Sequence, residues 1–369
     1  MKPISYKIGE HPDLPPPASV TGPLAWVRNN LFSSPTNVVM TLVSVWLLFE
    51  LIPPMLNWML FDAAFSGENR DACRAQAGGA CWAFIAERFR LFTYGFYPAE
   101  ERWRVNLAFV LLLLALVPVL YDRLPLRKYG LYYSMVFPLI AGWLLLGGWG
   151  LAPVDTDQFG GFMLTLVIGV TGIAFSLPIG ILLAMGRQSS LPVIRLVCVG
   201  FIEFIRGVPL ITLLFVASTM LNYFLPKGTV FDLLLRVLIM VTLFASAYMA
   251  EVIRGGLQAI PKGQVEAAEA IGMKYWQSMR LVVLPQALKI SIPGIVNTFI
   301  GLYKDTTLVI IIGLLDPLGI GRSSLADTKW TGLHNEVYLF VAIFFFISCF
   351  SMSRYSLYLE KKLQTEHDH

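Results

Sequence analysis

Of 369 residues, 56% are hydrophobic and only 14% are charged. Ordinary soluble domains carry about 25% charged residues, so the chain reads as a membrane protein and not as a large soluble core. The net charge of +4 is spread through loops, with no basic run suited to nucleic acid.

Residues 1–36 read as an extended cytoplasmic tail containing Pro15-Pro16-Pro17, without the compact apolar core and small-residue cleavage site of a secretory signal. The first span is expected over 37–60, with Pro53-Pro54 bending or ending its helix. Glu50 inside it would cost about 2.5–3.5 kcal/mol if ionised at the bilayer centre, which places it toward the outer interface or against another helix. Residues 61–104 form a polar segment in which Cys73 and Cys81 bracket Gly78-Gly79. A disulfide there is as compatible with the sequence as two free thiols.

Further spans are expected over 105–121, 131–151, 159–185, 194–225, 231–253, 286–303 and 337–359. Trp143 and Trp149 fall in an interfacial belt near the far end of the third. The fifth is too long for one simple crossing and is interrupted at Gly207-Val208-Pro209. The apolar run 308–315 is too short to cross and reads as a re-entrant or buried piece. The fold class is therefore all-α and polytopic, with about eight transmembrane helices. Three form an accessory region over 37–158, with 61–104 as its external loop, and five form a core over 159–369.

Orientation follows from charge. With the N-terminus inside, residues 122–130, 186–193, 254–285 and the tail after 354 are cytoplasmic. Arg123, Arg127, Lys128, Arg187, Lys361 and Lys362 then obey the positive-inside rule. Both termini are expected in the cytoplasm.

No GxxxxGK[ST] loop, nucleophile elbow or HExxH set occurs, so no catalytic residue is assigned. The four cysteines show neither CxxC spacing nor histidine partners, so a metal site is not expected.

Three polar sets remain. Arg195, Glu203 and Arg206 fall within about an 80° sector of one helix, and Glu203 and Arg206 can pair at i, i+3. They read either as a stripe lining a substrate pathway or as an ion pair near the cytoplasmic interface. Glu251 and Arg254, also i, i+3, lead into the 254–285 loop and are expected to brace it. Lys304, Asp305, Thr306 and Thr307 lie roughly 24 Å along the seventh helix from Leu288. They can offer charges and backbone groups to a zwitterion at a helix break, or serve as snorkelling groups and a cap. Asn297 in the same span is a weaker pathway candidate.

The most informative stretch is Glu266-Ala267-Ala268, then Gly272, then Val282-Val283-Leu284-Pro285. Ala267, Ala270 and Ile271 recur at helical spacing, Gly272 suits a left-handed helix end, and Lys274 to Leu284 forms a second amphipathic turn expected to stop at Pro285. This order and spacing resemble the EAA loop of transmembrane subunits of bacterial ATP-binding-cassette importers. The flanks resemble the polar amino-acid (histidine/glutamine-type) branch: Ala247 to Gly256, Ala259-Ile260-Pro261-Lys262-Gly263-Gln264, Leu284 to Leu288 and Lys304 to Leu308. The three extra N-terminal spans resemble the longer permease subunit of general L-amino-acid transporters.

The resemblance implies a non-catalytic membrane subunit, in the bacterial inner membrane, that imports L-amino acids. It implies that Gly263, Glu266, Ala267, Ala268, Gly272 and Pro285, in a coupling loop of about 261–285, engage an ATPase. The implied partners are a second homologous permease subunit in a heterodimer, two ATPase subunits that hold ATP and Mg, and a periplasmic amino-acid-binding protein. This chain itself would bind no cofactor. The alternative is an ion-gradient-driven transporter or channel acting without an ATPase. It predicts an inverted repeat and deep acidic residues, of which the sequence offers no clear repeat and few carboxylates.

Overall fold

The structure is a computed structural model, and it describes residues 22–76, 78–121, 123–220, 223, 226 and 231–365, with side chains to 362. Most of the N-terminal tail, Asp122 and the end of the fifth predicted span therefore lie outside the described residues. The chain forms two compact units. One takes in residues up to Gly67 with Asp71–Trp82, and the other takes in Glu68–Arg70 and everything from Ala83 onward.

In the first unit, α1 (Pro23–Leu31) and α2 (Pro35–Leu56) meet at Ser34, whose hydroxyl accepts from the Asn37 N–H. The end of the predicted extended tail is thus helical, because Pro23 and Pro35 each sit at a first helical position that needs no N–H donor. The prolines at 53 and 54 do not end α2. The helix runs on into a π turn, Asn57–Phe61, and the Asn57 N–H still reaches the Pro53 and Pro54 oxygens, so the ladder resumes beyond the prolines. Helix α2 has no buried residue, as a lipid-facing span requires, and Glu50 is exposed on it. Beyond it, Cys73 on α3 (Arg70–Gln76) is joined to Cys81 by a disulfide. Gly79 is required here, since a Cβ would stand 2.4 Å from the Asp62 carbonyl oxygen.

The second unit begins with α4 (Trp82–Tyr94), α5 (Arg102–Leu120) and α6 (Arg127–Leu146). Compactness groups α5 and α6 with the helices that follow. Next come α7 (Gly161–Arg187), α8 (Pro192–Gly207), α9 (Leu210–Phe215) and α10 (Leu233–Gln258). The fifth predicted span is a broken one. The helices before and after Val208-Pro209 bend by 102°, because Pro209 lacks the donor to continue α8 and holds Val208 in an extended conformation. Arg236 braces the segment beyond the break, its guanidinium donating to the Ala217 and Ser218 carbonyls.

Helix α10 is the hub. Val237, Val241 and Ala245 pack with Leu164 and Ile168 of α7, and Met249, Ala250 and Ile253 form a second cluster with Ala184 and Ile202. Close approach depends on small residues, as in membrane bundles generally. A Cβ at Gly180 would meet Met249 Cβ at 2.7 Å, and one at Gly256 would meet the Ala287 carbonyl at 2.5 Å.

The chain then forms α11 (Lys262–Ala270), α12 (Tyr275–Ser278), α13 (Leu284–Asp305), α14 (Pro317–Ser324) and α15 (His334–Thr365). Helices α12 and α13 are joined by a π segment, Met279–Val283, and a 3₁₀ segment, Thr306–Ile312, extends α13 to give a 38-residue helical stretch. The expected stop at Pro285 is therefore corrected. In the π register the Leu284 N–H bonds to Met279, five residues back, so the helix is already widened where the proline ring enters and no turn is broken. In the run 308–315, expected as a re-entrant or buried piece, Val309 and Leu314 are enclosed, Ile311 is exposed, and Gly313 turns the chain at φ 93°. Among the described residues, seven helices are long and apolar enough to cross a membrane, or eight if the bent pair is one span.

Candidate functional site: a coupling loop and the cavity above it

The loop between α10 and α13 is built in steps. Pro261 precedes α11 with φ −60° and ψ 136°, and the helix it opens closes at Gly272. The Met273 N–H bonds to Ala268 and the Gly272 N–H to Glu269, the 6→1 and 5→2 pair of a Schellman motif. Gly272 has φ 80°, the left-handed conformation that the sequence called for at this position. Lys274 starts α12, and its N–H is taken by Gln277 Oε1 at 3.0 Å.

Of the loop residues singled out from sequence, Ala268 is buried, whereas Gly263, Glu266, Ala267, Gly272 and Pro285 are exposed. Ala268 anchors α11 to the body and the other side of the helix faces out. Around it stand Ile271, Tyr275, Trp276 and Leu281, each more than half exposed. Gln286 ties the knob to α13, donating to Gln264 Oε1 at 3.3 Å and to the Val282 carbonyl at 2.9 Å.

Where α7, α8 and α10 converge, five charged residues form one cluster. Arg187 Nη1 lies 2.8 Å from Glu203 Oε1 and also 2.8 Å from Glu251 Oε1, the latter an ion pair without hydrogen-bond alignment. Glu251 Oε2 takes Arg254 at 2.9 Å and stands 3.6 Å from Arg206. Arg254 goes on to Gln258 Oε1 at 2.7 Å, in the last turn before the loop. Sequence reasoning placed Glu203 against Arg206. The structure pairs Glu203 with Arg187 instead, since Arg206 is drawn to Glu251 and to the Tyr248 ring, 5.5 Å from its guanidinium carbon. Arg187 was legible only as an inside-positive charge, because its partners are 16 and 64 residues away. Arg195 stands apart, donating to the Ser189 carbonyl.

Tyr248 also lines a cavity of about 300 Å³, with Phe244 and Ala245 on α10 and Asn297, Thr298, Gly301, Leu302 and Asp305 on α13. Two sequence candidates, Asn297 and Asp305, thus meet here. Thr306 is buried and its hydroxyl donates to the Tyr303 carbonyl. That of Thr307 donates to the Lys304 carbonyl, and the Lys304 side chain is exposed. Both threonines therefore act as helix-end caps in this conformation.

One feature of connectivity unites these parts. Both cavity walls belong to α10 and α13, and the knob is the segment that joins those two helices.

Residues 176–365 match the family described as "Binding-protein-dependent transport system inner membrane component". The chain belongs to that family. It is a permease subunit, a membrane component without a catalytic centre of its own, as its resemblance implied. The permease is 51% identical over 357 residues to the "Inner membrane amino-acid ABC transporter permease protein YhdY" of Escherichia coli K12, covering 96% of this chain and 97% of that one. It is 48% identical to the "Glutamate/glutamine/aspartate/asparagine transport system permease protein BztC" of Rhodobacter capsulatus, covering 96% of each. A shorter relative, the "Probable glutamine ABC transporter permease protein GlnM" of Bacillus subtilis, is 34% identical over 55% of this permease and 92% of its own length. The accessory spans are therefore an addition shared with the first two relatives at nearly full length. Among the described residues, no group of three or more His, Cys, Asp or Glu is placed to hold a metal.

Proposed function

We propose that this permease carries L-amino acids from the periplasm across the bacterial inner membrane, driven by ATPase subunits that bind its 261–285 loop. The observation that carries the proposal is the connectivity of the site: the knob joins the two helices that wall the cavity. From Tyr248 to Gln258 is roughly 15 Å of α10, and from Leu284 to Asn297 roughly 20 Å of α13. Helices pinned by close glycine contacts transmit a displacement of the knob as a rigid-body shift of both walls.

In this reading the exposed Ile271, Tyr275 and Trp276 enter an ATPase groove, with Glu266 and Gly263 at its rim. ATP and Mg reside in that partner. Glu251 holds α7, α8 and α10 together through three arginines, and the cluster sits between loop and cavity. A change at the knob must pass through it. Asn297, Asp305 and the Tyr248 hydroxyl give a zwitterion polar partners, and Arg206 adds a cation beside Tyr248. Without such groups, desolvation would cost several kcal/mol per charge. The inner-membrane orientation keeps both termini and the knob in the cytoplasm. A second, homologous permease completes the pathway as a heterodimer, and a periplasmic binding protein delivers substrate.

Co-purification tests the assignment. The permease, extracted with mild detergent, is expected to bring an ATPase with it and to lose it when Trp276 and Ile271 are both replaced by Asp. An unchanged yield of ATPase from the double variant would contradict the docking role.

A further inference from the structure

A second cavity, of about 800 Å³, lies between the accessory helices α5 and α6 and the core helices α7 and α10. Its volume is in the range of roughly 300–1,000 Å³ that holds a ligand. Its body is largely apolar: Ala108, Leu112, Phe137, Val167 and Leu238 face it, with Thr171 and Thr242 among them, and among the described residues no Lys, Arg or His lines it. Its two carboxylates stand together with Thr156 at the end before the starts of α7 and α10, as Asp155 and Asp232. Asp232 caps α10 and accepts from the Thr156 hydroxyl, while the Asp155 carboxylate is exposed beside it. Of the nearby cations, Arg104 is engaged with Glu101 and the Ala152 carbonyl, and Arg236 with carbonyls of the broken span and, through Nε at 3.4 Å, with the Asp232 backbone carbonyl.

Water would not fill such an apolar space, and leaving it empty forfeits dispersion contacts along all four helices. Its shape and its charge identify the occupant. Lining runs roughly 10–14 Å along α5 (Val105 to Leu112), α6 (Phe137 to Leu146) and α10 (Leu234 to Leu243), and roughly 24 Å along α7 (Met163 to Ile179). Three of the four walls thus cover about half of a hydrocarbon core of roughly 30 Å, so the cleft encloses a chain within one leaflet and would leave a spanning helix uncovered over the rest. A polar mouth carrying two carboxylates favours a cationic group over a phosphate standing alone.

We infer that this cleft is a lipid site that takes an acyl chain of an aminophospholipid, with the headgroup ammonium at Asp155 and Asp232. The lipid joins the accessory helices to the core as a third packing partner. It occupies the leaflet on the side of the 147–160 segment, and the inference holds whichever amino acid is carried and whatever drives transport.

The test uses the full-length permease purified with its partners. Gly142 lines the cleft, and a Cβ there meets nothing within 4 Å, so Gly142→Phe can plug the space without displacing backbone. Native mass spectrometry and thermal unfolding are measured with added phosphatidylethanolamine or phosphatidylglycerol. The parent is expected to retain phosphatidylethanolamine and gain thermal stability from it in preference to phosphatidylglycerol. Gly142→Phe should lose both effects, and Asp155→Asn should lose the preference while still binding lipid. Equal retention and stabilisation by phosphatidylethanolamine in Gly142→Phe and parent would overturn the site. So would a photo-crosslinker at position 142 that captures a polypeptide in place of lipid.

Discussion

At Gly272 the closure of the loop depends on one dihedral angle. A β-branched residue at φ 80° is strained by about 1–3 kcal/mol, enough to unseat the Schellman closure and tilt α12 away from α11. Gly272→Val is therefore expected to insert normally, to recover less ATPase on purification and to abolish uptake. Glu266→Lys, which reverses charge on the exposed rim, should do the same with the loop intact. Full uptake and normal ATPase recovery in Gly272→Val would sink the docking assignment.

Asp316 is a different kind of residue. It caps α14 through the Gly319 N–H, is fully enclosed, and its Oδ2 finds no partner. Burial pushes its carboxyl up from 3.8 to about 6, against the lowering effect of the Gly319 and Leu318 backbone bonds. A raised folded-state value means that the folded form holds the proton more tightly. Stability from this group is fully present below about pH 4 and is lost as pH rises through about 6, a difference of about 3 kcal/mol. Asp316→Asn keeps the capping acceptor and removes the titration. The parent-minus-variant difference in thermal stability should grow in the parent's favour as pH falls from 7 to 4.5; a flat difference would contradict the burial argument.

Among the elements, α10 and α13 do most to make the site. Their existence was plain from long apolar runs, and the broken span at Gly207-Val208-Pro209 was plain from its residues. The ends were less so. Pro285 reads as a stop in any one-dimensional view, and only the π register over Met279–Val283 lets the helix continue. Prolines 53 and 54 likewise read as a stop, yet they lie inside a helix that continues past them. Gly272 was legible because a local rule governs it. The five-membered charge cluster was not, since Arg187 meets Glu251 through the packing of α7 on α10, which no local spacing encodes. Asn297 and Asp305 were legible as polar residues in an apolar helix. That Tyr248 joins them was not.

The same two helices carry a prediction about the pathway. Arg206→Ala and Asp305→Ala are each expected to lower uptake about tenfold or more. ATP hydrolysis stimulated by loaded binding protein should persist in part, because the knob is untouched. Loss of stimulation equal to loss of uptake would assign both residues to assembly and not to the pathway.

For the whole molecule, orientation governs everything else. In a background lacking the native cysteines, single cysteines at Gly67 and Lys329 should label from outside, and those at Lys128 and Lys274 only from inside. External labelling at Lys274 would put the knob beyond reach of any cytoplasmic ATPase. The most direct test of the central claim is uptake by proteoliposomes holding the permease, its homologous partner and the ATPase, with binding protein outside and ATP enclosed. Accumulation of radiolabelled amino acid is expected to require enclosed ATP, to survive collapse of ion gradients, and to vanish with Gly272→Val. Accumulation driven by an ion gradient without ATP, by this chain alone, would contradict the account.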